Sequence, residues 1–419
     1  MRSFTRLALF TAALASLAAT SGCSASTEDL DVNDEELAKG GKAAQMNDVT
    51  IVMPLADTQA EFNKGYLAAT SVGLGGALLP KALYTKEIPD PVGPVGIGGD
   101  VSMRYADLRI VAVRLDPCFA NVGPVVDDSK CDNQLRVIFQ DLSYKSGSTS
   151  AMDGAVHAFY SLSRAELTKT LQEIIALRIA SGQTTSMGAL KPHPLLVTQG
   201  LDGAFGIGLQ KIILSHAGTS NLMRFTHFAS RNLATAWDFV GFDVKNGATS
   251  PMVIPTLSGK TTAVSFFAGF GAPISGGFTP ETTSKDDVAV LVNVDNATKA
   301  TAKARQAAFD ASLRIDNPGF HSPNTMDCAS CHVAESARVL MGVGKFEMSA
   351  VGNPNAFAAD PKFVSATSLK STAGPGKQTQ GFNVHMLSYK FDSLSIGQRV
   401  INETASVVAY ANGHLLTQK

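Results

Sequence analysis

The chain has 419 residues, of which 45% are hydrophobic and 17% are charged. This composition supports a folded core and excludes a disordered or fibrous chain, and the length suits about two domains. Lysine and arginine (35) nearly balance aspartate and glutamate (36), giving a formal net charge of −1. The chain therefore lacks the basic excess that is typical of nucleic-acid-binding proteins.

The first 22 residues have the features of a secretory signal peptide. Arg2 and Arg6 give a positive start, and residues 7–19 are almost all apolar or small. Because this run is too short to span a bilayer stably, it predicts export rather than a membrane helix. No later apolar run of the sequence is long enough to predict a membrane span.

The end of this leader resembles the cleavage box of bacterial lipoproteins. Residues 18–23 read Ala-Ala-Thr-Ser-Gly-Cys, with threonine where the box usually has leucine. The resemblance implies that Cys23 carries a lipid and begins the mature chain, and that Ser24 favours the outer membrane. Plain cleavage to a soluble periplasmic protein is the alternative. The acidic stretch 28–36 is typical of a solvated spacer, so residues 23–46 are interpreted as a linker.

Four further cysteines form two pairs along the chain. Cys118 and Cys131 bracket a loop between two predicted strands, 108–115 and 134–142. An oxidising compartment permits a disulfide between them, and closing a loop of this length stabilises the fold by roughly 3 kcal/mol. Two unrelated thiols are the alternative interpretation.

The second pair lies in the sequence Cys328-Ala-Ser-Cys331-His332, which has the spacing of a c-type haem attachment site. In such a site the thiols form thioether bonds with the haem vinyl groups, and the histidine binds the iron from one face. A redox dithiol, a structural disulfide and a zinc half-site are the alternatives. The sequence has no second Cys-x-x-Cys to complete a zinc site. One covalently attached haem c is therefore the predicted cofactor.

The chain from residue 297 to residue 419 resembles a class I cytochrome c domain. A predicted helix at 297–313 precedes Cys-x-x-Cys-His, a loop-like stretch follows at 349–380, and a Ser395–Gln398 capping-box pattern opens a predicted last helix. The resemblance implies an all-α cytochrome c-like fold for residues 286–419. It also implies a methionine as the second axial ligand of the iron.

Met386, just before the last helix, has the position that best matches this methionine. A Met/His pair raises the reduction potential and fills the iron site, which suits electron transfer. The other candidate ligands lie in the same region and are His385, Met348, Met341, His321 and His414. An iron with an open or water-bound position is the remaining alternative, and it would permit peroxide or small-ligand chemistry.

Residues 47–285 are predicted to form an α+β domain, because runs of strands accompany only a few helices. Ser163 and Glu166 form a capping-box pattern at the start of one clear helix, and 205–216 is a second candidate. The glycine-rich stretches and the four histidines lack the spacing of a dinucleotide or metal site, so no chemistry is assigned here. The predicted strands are 49–55, 108–115, 134–142, 155–162, 222–228, 236–244 and 263–270.

The sequence thus predicts two domains behind a leader and linker: an N-terminal α+β domain and a C-terminal all-α cytochrome c-like domain. The predicted function is single-electron transfer by an exported, lipid-anchored mono-haem protein. It would face the periplasm from the outer membrane and exchange electrons with a periplasmic or membrane partner. The alternatives are a binding or structural lipoprotein with a stabilising haem, and a peroxidase-like haem enzyme with an open iron.

Overall fold

The computed structural model describes residues 42–88, 103–117, 132–232, 236–254, 261–267, 289–292, 294–322, 325–358 and 383–416. The leader, Cys23, Cys118 and Cys131 lie outside these ranges, so the signal peptide, the lipid anchor and the first disulfide stay predictions. The boundary drawn between residues 285 and 286 lies outside them too. Within these ranges, no helix has the length and apolar character that crossing a membrane requires.

Thirteen strands occur in the described residues, and most are long enough to bear alternating side chains on two faces. In chain order they are β1 (Thr50–Val52), β2 (Val72–Gly73), β3 (Gly76–Ala77), β4 (Leu108–Asp116), β5 (Asn133–Lys145), β6 (Ser148–Ala151), β7 (Gly154–Leu162), β8 (Leu222–Asn232), β9 (Ala236–Lys245), β10 (Ala248–Pro251), β11 (Val264–Phe267), β12 (Leu387–Lys390) and β13 (Ser393–Ile396).

Nine of these strands form one antiparallel sheet, in the order β1-β4-β5-β7-β8-β9-β10, with β6 paired to β5 and β11 paired to β9. Strands β2 and β3 form a small hairpin, and so do β12 and β13. All seven strands predicted from the sequence have a counterpart in the large sheet. The prediction succeeds because alternating or continuous apolar runs bounded by turn residues mark buried strands.

The helices lie before, between and after the sheet strands. They are α1 (Met46–Val49), α2 (Gln59–Gly65), α3 (Lys81–Glu87), α4 (Arg164–Ala180), α5 (Pro194–Gln199), α6 (Ala204–His216), α7 (Ala289–Val292), α8 (Val294–Lys299), α9 (Ala302–Asp316), α10 (Cys328–Ala337) and α11 (Gln398–Tyr410). Helix α10 continues through a π-helical turn at Arg338–Val343 and a short α-helical turn at Gly344–Phe346, and α11 continues through a π-helical turn at Ala411–Leu415.

Helix α4 begins where the sequence predicts. Ser163 and Glu166 form the reciprocal capping box, in which each side chain accepts a hydrogen bond from the other residue's backbone N–H. The helix ends before Gly182, whose φ of +88° is a conformation that glycine adopts without strain. The second predicted helix is also observed, as α6.

The two faces of the sheet are covered by different parts of the chain. Residues paired directly across neighbouring strands share a face, so Arg136, Phe159 and Arg224 point to the same side. On this face Arg114 forms an ion pair with Glu403 of helix α11. On the opposite face the Tyr160 hydroxyl donates a hydrogen bond to the backbone oxygen of residue 78. The C-terminal helices therefore cover one face, and N-terminal segments cover the other.

The expectation of an all-α cytochrome c-like fold for residues 286–419 is wrong. This region contributes the β12–β13 hairpin, and Tyr389 of β12 exchanges two hydrogen bonds of 2.7 Å with the Gln140 side chain of β5. Its buried residues belong to the same apolar cluster as those of the sheet. The spacing of apolar residues in a helix shows that one side is buried, but it does not show which part of the chain covers that side. The sequence therefore resembled that of a free-standing helical domain.

The capping box predicted at Ser395–Gln398 is also wrong. Ser395 is the third residue of strand β13, and Gly397 is the N-cap of helix α11, with no side-chain cap. The backbone N–H of Gln398 donates to the Glu335 carboxylate of helix α10 instead, at 2.6 Å. A partner distant in sequence replaces the local cap, which is why the local pattern misled.

Candidate functional site

Helix α10 brings the three residues of the Cys-x-x-Cys-His motif onto one side. Cys328 is its first residue, and Cys331 and His332 follow at positions i+3 and i+4, which share a helix face. The N-cap Asp327 accepts hydrogen bonds from the backbone N–H and the hydroxyl of Ser330, at 2.8 and 2.7 Å. This cap fixes the helix start, and therefore the direction of both thiols.

The His332 ring is oriented by a backbone carbonyl. Its Nδ1 lies 2.6 Å from the Val384 oxygen, so Nδ1–H donates and Nε2 is the unprotonated nitrogen. Within the described chain, Nε2 has no hydrogen-bond partner. Phe228 and Phe239 flank the ring, with centroids at 5.0 and 5.3 Å. A histidine held at Nδ1 in this way is the common arrangement of metal-ligating histidines.

The motif opens into a cleft of about 90 Å³ between helix α10 and the sheet. This volume is below the range of roughly 300–1,000 Å³ usual for ligand sites, so a large bound group would require the lining side chains to move apart. Its walls carry both thiols, two histidines, two arginines and several apolar side chains. The lining residues are Arg136, His157, Phe159, Arg224, Thr226, Met252, Met326, Asp327, Cys328, Cys331, His332 and Glu403.

Two arginines give the sheet side of the cleft positive charge. Arg136 forms an ion pair with Asp116 at 2.9 Å and lies over the Phe159 ring, but its buried Nε has no hydrogen-bond partner. Arg224 pairs with Asp243 at 2.7 Å. A buried guanidinium donor that lacks a partner is costly, so the Nε atom of Arg136 suits an anionic or hydrogen-bond-accepting group of a bound molecule.

The ionisable groups of the motif are neutral near neutral pH. Burial raises the pKa of Cys328 and of Cys331 to about 12, and the Asp327 carboxylate adds to the effect at Cys328. Burial lowers the pKa of His332 to about 4. His332 is therefore a neutral imidazole, which is the form that binds metal ions. The two cysteines are not bonded to each other.

Met386 does not line the cleft. Its side chain is buried and lies against Gly397, where an added Cβ would come within 2.4 Å of the Met386 sulfur. Its backbone oxygen accepts a hydrogen bond from the Gly397 N–H at 2.7 Å. The structure brings Cys328, Cys331 and His332 together in the cleft, whereas it places Met386 in the adjoining core. Its role as an iron ligand stays a prediction.

The other candidate ligands named from the sequence lie elsewhere as well. Both ring nitrogens of His385 are engaged, Nδ1 with Ser388 and Nε2 with Asp153, each at 2.8 Å. His321 contacts Thr325 through Nδ1 at 2.9 Å. The last three candidates do not line the cleft. Met341 lies in the π-helical turn after α10, Met348 in a non-helical stretch shortly beyond it, and His414 in a π-helical turn after α11.

Sequence reasoning missed the residues that the sheet contributes. His157, Arg136 and Arg224 lie on three neighbouring strands, far from the motif in sequence, and alternate with apolar residues as ordinary sheet positions do. The only signal in the sequence was a charged or titratable side chain on a face expected to be buried. Among the residues described, no group of three His, Cys, Asp or Glu side chains is placed to hold a metal ion by itself.

The comparisons with known proteins give no relative for this chain. No protein-family model, no curated protein sequence and no solved structure matches it. The motif and the cleft are therefore the features of this chain that bear on its function.

Proposed function

We propose that the protein is an exported c-type haem protein that transfers single electrons at the cell envelope. One haem would be attached to Cys328 and Cys331, with His332 as the axial ligand of the iron. The observation that carries the proposal is the His332 ring, which is fixed through Nδ1 by the Val384 oxygen beside two thiols on the same helix face. This arrangement leaves the unprotonated Nε2 of His332 near the two thiols, as an iron ligand in this motif must be.

The residues that line the cleft suit a haem in their chemistry. The apolar side chains suit a large flat ring, and Arg136 and Arg224 suit the negative propionate groups. Bound there, haem supplies a one-electron redox couple, and the protein supplies ligation, burial and electrostatics. Each electron would come from a reduced redox partner in the periplasm or membrane and leave to an oxidised one. Anchoring through Cys23 would keep the protein near such partners.

The thiol environment argues against a redox dithiol, the chief alternative for the motif. Reactive cysteine pairs depend on a lowered thiol pKa, because the thiolate is the nucleophile. Burial does the opposite here and raises the pKa of both thiols to about 12. A zinc site is disfavoured as well, because no three His, Cys, Asp or Glu side chains of the described residues are grouped closely enough to hold a metal ion.

Covalent attachment is tested by expressing the whole chain together with a c-type haem attachment system. The protein should keep its haem under denaturing conditions and show a c-type spectrum of its pyridine adduct. The double variant Cys328→Ala/Cys331→Ala should lose all covalent haem. The matched control Cys118→Ala/Cys131→Ala removes the same number of cysteines and should keep its covalent haem. Wild-type protein without covalent haem, or haem retained covalently by the first variant, would overturn the proposal.

Electron transfer is tested separately, because a stabilising haem would satisfy the attachment test. We expect the haem of the intact protein to be reduced and reoxidised reversibly by a soluble periplasmic redox protein on a timescale of seconds or less. A haem that does not exchange electrons with any such donor or acceptor would contradict this function and favour a structural role.

A further inference from the structure

A second histidine faces the haem motif from the sheet. His157 of β7 lines the cleft opposite helix α10, and its ring centroid lies 6.2 Å from that of His332, with the ring planes at 44°. A metal–nitrogen bond to imidazole is about 2 Å long, and the nitrogen lies about 1 Å from its ring centre. Two rings on opposite sides of one metal ion therefore have centroids roughly 6 Å apart. The observed separation matches that arrangement.

The structure gives His157 no other role. Neither ring nitrogen forms a hydrogen bond with any residue that the structure describes, although its neighbours across the sheet, Ile138 and Thr226, share its face. Its ring contacts are with Phe159 at 6.3 Å and with His332. Polar nitrogens at the wall of a cleft without protein partners are suited to a bound group.

The other imidazoles and the predicted thioether are less suited to the position opposite His332. His385 uses both ring nitrogens within the protein. His227 lies on the next strand but on the other face of the sheet, beside Tyr84. Met386 is packed against Gly397 and does not line the cleft. Of these four side chains, three histidines and one methionine, His157 alone lines the cleft opposite the motif.

We propose that His157 is the second axial ligand of the haem iron, so that His332 of helix α10 and His157 of the sheet hold the iron between them. This inference rests on the proposed function, since it assigns a ligand to the same haem. It replaces the methionine implied by the resemblance to class I cytochromes c. Burial, Arg136 and His332 keep the pKa of His157 well below its ordinary value, which leaves it neutral and able to ligate.

Two consequences follow for the iron. With two imidazoles the site is filled, so carbon monoxide should not bind the reduced wild-type protein. Replacing a methionine by a second histidine lowers the reduction potential, because a thioether ligand favours the ferrous state. The protein should therefore be a low-potential, six-coordinate electron carrier rather than an enzyme that binds peroxide at the iron.

The test is the absorption and electron paramagnetic resonance spectrum of the haem-loaded full chain. Wild type should be low-spin with two nitrogen ligands. His157→Ala should keep its covalent haem, lose the low-spin signature and bind carbon monoxide when reduced, and added imidazole should restore the low-spin spectrum. His157→Met, which keeps most of the side-chain volume, should raise the reduction potential. The control His227→Ala removes an imidazole from the opposite face and should leave the spectrum unchanged.

The outcomes separate this inference from the function on which it rests. Covalent haem in the wild type with an unchanged low-spin spectrum in both His157 variants would overturn the assignment and leave the proposed function standing. If Met386→Leu loses the low-spin spectrum instead, the second axial ligand is the thioether of Met386. Carbon monoxide binding by the wild type would show an open iron and also overturn the assignment. Wild-type protein without covalent haem would overturn both proposals.

Discussion

Asp153 joins three distant parts of the chain through one carboxylate. Its Oδ1 atom accepts hydrogen bonds from Nε2 of His385 at 2.8 Å and from Nε1 of Trp237 at 3.1 Å. Burial opposes its charge, yet the hydrogen bond and charge of His385, with Lys390, hold the pKa of Asp153 below its usual value. His385 is next to Val384, whose oxygen orients His332, so this carboxylate also supports the haem motif.

We expect Asp153→Ala to lower the free energy of unfolding by about 2–4 kcal/mol, because it leaves two buried donors without an acceptor. Urea denaturation at neutral pH measures this effect. The control Asp107→Ala removes a carboxylate whose partner Arg104 is largely exposed, and should cost less than about 1 kcal/mol. Equal losses in the two variants would contradict a special role for Asp153.

Helix α11 is held on the sheet by a buried charge network. Arg114 of β4 contacts both Asp116 and the Glu403 carboxylate of α11, and Arg399 pairs with the same carboxylate. Arg399 also donates hydrogen bonds to the backbone oxygens of Ile315 and His321. Although burial opposes ionisation, these arginines lower the pKa of Glu403 to about 2. The helix is therefore positioned by charge as well as by apolar packing.

We expect Glu403→Gln to destabilise the fold by about 3–5 kcal/mol at neutral pH, because two buried arginines, Arg114 and Arg399, lose this carboxylate while Arg114 keeps Asp116. A carboxylate whose folded pKa lies below its unfolded value of 4.5 stabilises the protein above that value. This contribution is lost as the pH falls from about 4.5 towards 2. The difference between wild type and variant should therefore shrink over that range, as measured by urea denaturation across pH.

The partly exposed Glu173 of helix α4 provides the control, since it pairs with the exposed Lys169 and a glutamine there can still bond to the buried ring of His216. Glu173→Gln should change the unfolding free energy by less than about 1 kcal/mol. A difference for Glu403→Gln that stays constant as the pH falls would show that the carboxylate acts through packing alone.

The whole described molecule has one continuous apolar core rather than two separate ones. The cluster of buried residues includes Leu108 and Val156 of the sheet together with Val333 and Ile401 of the C-terminal helices. Hydrogen bonds cross between the same regions, among them the bond of 2.7 Å between the hydroxyls of Thr50 and Thr404. The helices of the C-terminal region therefore bury their apolar sides against the sheet.

We expect chemical unfolding to proceed in one transition. The single tryptophan, Trp237, is buried in strand β9 and reports on the sheet, while the haem absorption would report on helix α10. The two signals should change at the same denaturant concentration, because parts that share one core unfold together. Two separated midpoints would instead support independent N-terminal and C-terminal domains.

The sequence by itself predicted the elements of the sheet, helix α4 with its capping box, and the thiol pair with His332. These are local properties: apolar periodicity, cap residues and motif spacing are determined by neighbours in the chain. The sequence did not predict the partner of the C-terminal helices, the β12–β13 hairpin or the start of helix α11, where Glu335 replaces a local cap. Each of these depends on residues that are distant in the chain.

Tertiary structure alone decided what faces the haem motif. The spacing of Cys328, Cys331 and His332 predicts a haem and one ligand of its iron, because these three residues lie within about one helical turn. No local feature of the chain connects these three residues with His157, which lies far before them in the sequence. Antiparallel pairing places His157 on the face that helix α10 covers, and only that packing makes it a candidate iron ligand.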